Sequence, residues 1–325
     1  MPFISILIPC FNAERWIKGT INSALAQDYP HKEVIVVDDG STDNSWELIQ
    51  GYGPRIRAER TSNKGACSAR NYLLQLSKGE WLQYLDADDY LLHGKVSSQV
   101  HGLENAPDAD ILYGPGIIEE HWTGEVNRYT LPIPEPRDPW ILLARWRLPQ
   151  TGAVLWKKKA IEDVGGWKTD QPCCQEHELY LHLLKAGKQF HYTTEPGAVY
   201  RKWSDDSVCE RNKMETYCQR LKITDATEQH LAEINELSVA RQDEINQARF
   251  ECARIIWTVD RAWARSLIRQ VRATRAPFVP QGRGVPALYR FIYSVFGFSM
   301  AETVAKLKRI LVSFFSTASL KSKNI

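Results

Sequence analysis

Trp-Leu-Gln-Tyr-Leu-Asp-Ala-Asp-Asp-Tyr, residues 81–90, is an apolar run that stops abruptly on three carboxylates within four positions, Asp86, Asp88 and Asp89, with Ala87 between them. Carboxylates packed so tightly repel one another unless a cation sits among them. Hard oxygen ligands of this kind suit Mg²⁺ or Mn²⁺, and a bound phosphate completes the shell. The bland alternative is a solvated acidic turn, the commoner fate of a short acidic run. What precedes the stretch decides between them.

The first ninety residues alternate β-rich runs with helical patterns, as successive βα units do. Phe3, Ile4, Ile6, Leu7 and Ile8 predict a strand ending at Pro9, and Ile17, Ile21, Ala24 and Leu25 follow at helical spacing. Val34–Val37 predict a second strand, which stops at Asp38-Asp39-Gly40-Ser41; its continuous β-branched run suits a strand covered on both faces. Residues 55–61 read as a third strand, Ala66, Ala69, Leu73 and Leu76 as the next helix, and Trp81–Leu85 as the fourth strand. In an open parallel sheet the ligand sits beyond the carboxyl ends of the strands. The segments 9–12, 38–41 and 86–89 are therefore expected to converge on one crevice.

Four ordered segments carry a resemblance: Pro-Cys-Phe-Asn-Ala-Glu at 9–14, Val-Val-Asp-Asp-Gly-Ser-Thr-Asp at 36–43, Asn-Lys-Gly-Ala-Cys-Ser-Ala-Arg-Asn at 63–71 and Leu-Asp-Ala-Asp-Asp at 85–89. Together they resemble the signatures of family 2 glycosyltransferases. Gly-Gly-Trp at 165–167 and Gln-Glu-His-Glu-Leu-Tyr-Leu-His-Leu-Leu at 175–184 resemble that family's acceptor-side segment, so the likeness extends over roughly residues 1–205. It implies a GT-A fold, a Rossmann-like nucleotide-binding α/β sheet flanked by helices, and inverting transfer of a sugar from a nucleoside diphosphate, with UDP the leading choice. It also implies Mn²⁺ or Mg²⁺ as cofactor.

Residue by residue, the likeness assigns nucleotide contacts to Pro9, Phe11, Asn12, Glu14, Asp39, Arg70, Asp86 and Ala87. Asp39 matches the carboxylate that accepts a hydrogen bond from the base, an acceptor role a carboxylate suits. Asp88 and Asp89 match the pair that meets metal and diphosphate. Arg70 either neutralises diphosphate or fixes Asp39 and Asp86 by ion pairing. Glu176 aligns with the catalytic base, which must take the proton of an acceptor hydroxyl as that oxygen attacks the anomeric carbon. The commonest form of the segment has aspartates where Glu176 and Glu178 stand and an aromatic where His177 stands. Glu178 is the weaker candidate, on an amphipathic helix whose Leu179, Leu183 and Leu184 face the core, and His177 reads as packing. Arg201 and Lys202, in Tyr-Arg-Lys-Trp at 200–203 with Ser204 and Ser207 beyond, resemble a mobile stretch that closes over the diphosphate.

A chain of 325 residues, 43% hydrophobic and 25% charged, can bury one large core with an appendage. Its formal net charge of +2 predicts no nucleic-acid partner. Seven cysteines, at 10, 67, 173, 174, 209, 218 and 252, lack CxxC spacing, so reduced thiols in the cytosol are expected. Met-Pro-Phe leads directly into the first strand, with no signal-peptide pattern. We expect a transferase domain over 1–215 and a helical region over 216–325, with a breaker-rich linker at 275–286. Between 224 and 274 the periodicity predicts two or three helices packed as a hairpin. The tail mixes Leu288, Phe291, Ile292, Val295, Phe296, Leu307, Ile310, Leu311, Phe314 and Phe315 with Arg290, Lys306, Lys308 and Arg309, and no run reaches the ~20 apolar residues that span a bilayer. Such a tail suits either peripheral contact with the inner face of a membrane or packing, onto the catalytic domain or in a homodimer.

The expectation is thus a metal-dependent inverting glycosyltransferase, with a nucleotide sugar as donor and a glycan or glycolipid hydroxyl as acceptor, in surface polysaccharide or glycolipid assembly. A sugar nucleotidyltransferase would instead open with a Gly-rich basic phosphate loop, where this chain has Pro-Cys-Phe-Asn-Ala-Glu. A catalytically silent scaffold acting through its helical tail is opposed by the intact carboxylates at 39, 86, 88, 89 and 176.

Overall fold

The computed structural model describes residues 1–122, 125–203, 211–282 and 284–321, with side chains up to Arg309 except that of Trp122. The chain divides into two compact units, Met1–Gln219 and Arg220–Ile325. In the first, β1 (Ile4–Cys10), α1 (Ile17–Leu25), β2 (Lys32–Asp38), α2 (Ser45–Gln50), β3 (Arg57–Arg60), α3 (Ala66–Leu76) and β4 (Trp81–Tyr84) follow the expected βα alternation. β5 (Tyr90–Leu91), α4 (Lys95–Glu104), β6 (Ile111–Tyr113), β7 (Gly116–Trp122), β8 (Glu125–Leu131), α5 (Pro139–Ala144) and β9 (Val154–Lys157) come next. The unit closes with α6 (Lys158–Asp163), α7 (Gln175–Lys185), β10 (Phe190–Tyr192), β11 (Ala198–Lys202) and the start of α8 (Lys213–Glu233).

A seven-stranded sheet has the order β10-β6-β9-β4-β1-β2-β3. β1 pairs in parallel with β2 and β4, and β2 with β3; β9 runs antiparallel between β4 and β6. All seven residues of β1 are buried, as a strand covered on both faces requires. Ile4, Ile6 and Ile8 pack with Val34, Val36 and the Ile17, Ile21 and Ala24 stripe of α1. Parallel pairing aligns the carboxyl ends of β1, β2 and β4, so their loops open on one side.

A second, four-stranded sheet has the order β5-β11-β7-β8. It was not foreseen from the sequence. Gly-Ile-Ile-Glu-Glu-His-Trp at 116–122 and Glu-Val-Asn-Arg-Tyr-Thr-Leu at 125–131 show no sustained alternation; the hairpin signal they carry is a two-residue connection containing glycine between segments with β-branched and aromatic residues.

In the second unit, α9 (Val239–Ile256) and α10 (Arg261–Thr274) pack against each other as the expected hairpin, and α11 (Ala287–Lys321) follows. Ser238 and Asp260 cap α9 and α10 through their side-chain oxygens. Buried Arg249 bonds Asp225 and Glu228 of α8. Glu302, 0% exposed, accepts from Arg254 Nε at 2.6 Å and from Tyr289 Oη at 2.7 Å. Within α11 the helix breaks at Gly297, whose φ of 80° and ψ of 178° only glycine adopts readily. The described cysteines are free thiols; Cys209 lies outside the described residues.

Candidate active site

The loops after β1 and β2 are laced together. Asn12, at φ 50°, donates its N–H to Ser41 Oγ at 2.9 Å and accepts from Thr42 N at Oδ1 at 2.8 Å. Ala13 N donates to Ser45 Oγ at 2.8 Å, and Glu14 Oε2 accepts from Asn44 N and Nδ2 at 3.0 and 2.9 Å. Asn12 and Glu14 thereby set the shape of the crevice wall. Pro9 is buried within β1, while Phe11 stands 48% exposed on the rim, free to lie against a flat ring.

Asp39 is buried and accepts from Lys64 N at 3.0 Å and Thr61 Oγ1 at 3.2 Å on one oxygen and from Gly65 N at 2.8 Å on the other. It ties the loop before α3 to the end of β2. Gly40 permits that approach: at φ 75°, an added Cβ would lie 2.8 Å from Asn63 N.

Arg70, on α3 and nearly buried, reaches in two directions. Nη2 donates to Asp86 Oδ1 and Nη1 to Gln175 Oε1, both at 2.7 Å, and the guanidinium lies 4.7 Å from the Trp167 ring centroid. Of the two expected ion-pair partners it takes Asp86 and not Asp39, because backbone amides occupy Asp39. Arg70 therefore joins the acidic end of β4 to the first turn of α7, two segments almost ninety residues apart.

The carboxylates differ in surroundings. Asp89 is 1% exposed: Oδ1 accepts from Arg201 N at 2.8 Å, Oδ2 is buried with no hydrogen-bond partner, and Thr20 Oγ1 donates to the Asp89 and Ala87 carbonyls. Asp86 and Asp88 are partly exposed. Asp88 Oδ2 accepts from Trp203 Nε1 at 2.9 Å. Burial, followed by repulsion from Asp86, raises the Asp88 carboxyl; burial, followed by Asp88 and Asp86, raises Asp89 well above the usual range. That mutual repulsion is the condition a divalent ion relieves. Among the described residues no three His, Cys, Asp or Glu side chains gather as a metal cage. Two carboxylates with diphosphate and water oxygens are the arrangement Mg²⁺ typically accepts, so the donor chemistry fits.

α7 begins at Gln175 after Cys174, at φ 59°. Glu176 on its first turn is partly exposed. Burial alone would push its carboxyl up, but His177, its own backbone N–H and Arg70 hold it down at about 2. His177 is buried, stacked on Trp146 with centroids 3.8 Å apart, its Nδ1 3.7 Å from Glu176 Oε1. Glu178 is buried on the far side and faces His182 Nε2 at 3.0 Å and Lys168 Nζ at 4.0 Å. The turn before α7 is clamped to α3: Asn71 Nδ2 donates to Trp167 O at 2.7 Å and Asn71 Oδ1 accepts from Trp167 N at 2.8 Å.

Arg201 and Lys202, read from the sequence as part of a mobile stretch, lie in strand β11. Arg201 is held between Trp16 and Tyr90, at 4.9 and 4.3 Å from the ring centroids, with Nη1 donating to Asp88 O at 2.9 Å. Ser204 and Ser207 lie outside the described residues. Trp203 was quoted within Tyr-Arg-Lys-Trp but given no role of its own, and Trp146 was missed by sequence reasoning. Lone tryptophans carry no spacing signal; only the fold brings them to Asp88 and His177.

Residues 5–163 match the family model described as Glycosyl transferase family 2. An Escherichia coli protein named UDP-Glc:alpha-D-GlcNAc-diphosphoundecaprenol beta-1,3-glucosyltransferase WfaP is 39% identical over 106 residues, 32% of this chain and 42% of that one. The putative teichuronic acid biosynthesis glycosyltransferase TuaG of Bacillus subtilis is 37% identical over 126 residues, 38% of this chain and 50% of its own length. An uncharacterized glycosyltransferase of Rickettsia felis is 33% identical over 193 residues, 57% of this chain and 32% of that protein. The match thus spans a third to a half of these relatives' length. Among solved structures, S. aureus TarS 1-349 in complex with UDP-GlcNAc superposes with a TM-score of 0.57 at 15% identity, over 84% of this chain and 88% of that one, a likeness of fold.

Proposed function

Because this chain belongs to glycosyl transferase family 2, with a GT-A fold, we propose that it moves a sugar from a nucleoside diphosphate sugar, UDP-linked, to a hydroxyl of a glycan or glycolipid acceptor, with inversion. The observation that carries the reading is the Arg70 bridge. One guanidinium bonds both the Asp86 carboxylate, on the expected nucleotide side, and Gln175, the neighbour of Glu176 on the expected acceptor side.

In this reading the acceptor oxygen attacks the anomeric carbon while Glu176 takes its proton. The bond from that carbon to the diphosphate oxygen breaks on the opposite face, and the electron pair leaves with the diphosphate. Asp86 and Asp88 would hold a Mn²⁺ or Mg²⁺ ion, which when bound supplies positive charge to the departing diphosphate. Asp89, which the resemblance paired with Asp88 for this role, is 1% exposed with one oxygen taken by the Arg201 amide, so the more exposed Asp86 takes its place in this reading. Phe11, with Pro9, Asn12, Glu14 and Asp39 shaping the wall, would receive base and ribose. A relative whose name carries a diphosphoundecaprenol acceptor and a neighbour whose title carries UDP-GlcNAc support a lipid-linked acceptor and a UDP donor.

The test is donor cleavage. UDP release from a panel of UDP-sugars with Mn²⁺ should fall by ~10²–10⁴-fold in Glu176→Gln while UDP binding stays near wild type. Equal rates in Glu176→Gln would remove Glu176 as the base and move attention to Glu178, the weaker candidate of the same helix.

A further inference from the structure

The near-neutral total conceals a division of charge. Residues 220–325 hold 17 Lys and Arg against 9 Asp and Glu, whereas residues 1–219 hold 24 against 30. The whole-chain value of +2 therefore joins an acidic unit to a strongly basic one.

α10 shows where the excess is displayed. Arg261, Arg265, Arg269 and Arg272 are all exposed. Their spacing of four, four and three places them on one side of the helix. Ala264, Leu267, Ile268 and Val271 are buried on the other, and the helix contains no acidic residue. Like charges at this spacing weaken an isolated helix; Arg261 and Arg265 lie 5.3 and 5.6 Å from the Trp257 ring, which offsets part of that repulsion while their guanidinium groups stay exposed.

α11 adds an independent feature. Tyr289, Tyr293, Phe298 and Ala301 face inward. Outward stand Leu288, Phe291, Val295, Phe296, Met300 and Leu307, each between 48% and 62% exposed. Its one acid before residue 310, Glu302, is fully buried against Arg254, so the exposed charges are Arg290, Lys306, Lys308 and Arg309. The two helices adjoin at Arg272, whose guanidinium lies 5.9 Å from the ring of inward-facing Tyr293 and 3.4 Å from where a Cβ on Gly297 would stand.

We propose that α10 and α11 form a surface that lies on an anionic lipid membrane. Arginine stripe and apolar stripe are the two halves of interfacial binding: apolar side chains enter the acyl boundary while cations pair with headgroup phosphates and acidic lipids. No described helix is long and apolar enough to cross, so the contact is with the surface. A second copy on the same face would set positive rims against each other. A nucleic acid would engage the arginines but leave the six apolar side chains in water.

Co-sedimentation of the full chain with vesicles of phosphatidylcholine, with or without phosphatidylglycerol, tests this independently of catalysis. Binding should require phosphatidylglycerol and weaken as salt rises. Each cation removed should weaken it roughly fivefold, so Arg265→Gln with Arg269→Gln should cost about twenty-five-fold. Phe291→Ser with Phe296→Ser should abolish it. These residues are exposed, and circular dichroism checks that the variants fold. No binding to phosphatidylglycerol vesicles, or wild-type binding by folded variants, would overturn the proposal. So would a dimer in solution that Phe291→Ser with Phe296→Ser dissolves, or duplex DNA that displaces the chain from vesicles.

Discussion

Asp88 and Asp89 adjoin in sequence and differ in everything the fold decides. Asp88 is partly exposed and shares one oxygen with the Trp203 indole; Asp89 is buried and anchors β11 through the Arg201 amide. Asp88→Asn should therefore weaken Mn²⁺-dependent UDP binding roughly tenfold or more with little change in melting temperature. Asp89→Ala, which leaves the partly buried Arg201 amide without its acceptor, should lower stability by about 1–2 kcal/mol with a smaller effect on that binding. Calorimetry giving the two variants the same profile would defeat this division. That carboxylates gather here was legible, because three fall within four positions at a strand end. Which of them points inward was not, because Thr20 and Arg201, which settle it, lie about seventy residues before and a hundred after. Glu176 makes a second prediction, in pH. Its carboxyl is depressed from the ordinary 4.5 to about 2, so the stability it adds is complete above about pH 4.5 and lost as pH falls toward 2. It stays charged throughout the range between, and kcat/KM should show no acid limb from it from pH 7 down to 4.5. His177→Phe removes the partner that lowers it and should bring such a limb upward. A pH profile unmoved by His177→Phe would separate Glu176 from that influence.

The turn before α7 illustrates how an element is positioned. Gly166 has φ 79°, and a Cβ there would lie 2.5 Å from Asn71 Oδ1. Gly166→Ala should strain the backbone by about 1–3 kcal/mol. It should also disturb the paired Asn71–Trp167 hydrogen bonds, moving α7 and lowering transfer more than UDP binding. Wild-type melting temperature and turnover in Gly166→Ala would show that the clamp is dispensable. Gly-Gly-Trp was visible as a motif in the sequence, but its partner Asn71 could be named only from the fold, since the hydrogen bonds join residues 96 apart. The βα units of the first ninety residues were legible because period-two and period-3.6 patterns alternate cleanly there. The small sheet was overlooked because β8 is exposed along its whole length and leaves no apolar run to notice. The break in α11 was hidden for a different reason: a single glycine within an otherwise continuous apolar pattern does not announce the conformation it takes.

At the scale of the whole molecule, composition averages what local pattern separates. The net charge of +2 was read only as predicting no nucleic-acid partner, and the boundary near residue 219 shows that it averages two unlike charge distributions. Within the first unit, the two-handed grip of Arg70 carries a further consequence. Any cation or ligand that claims Asp86 competes with Nη2, while Nη1 still holds Gln175 beside Glu176. The two substrates should then sense each other, and the sensing must be mutual: whatever factor UDP applies to acceptor affinity, the acceptor applies to UDP. Arg70→Lys, which has a point charge and no fork with which to span both partners, should flatten that reciprocity and leave the order of substrate arrival random. Product-inhibition patterns would reveal it, as a compulsory sequence, donor before acceptor, in the wild type and none in the variant.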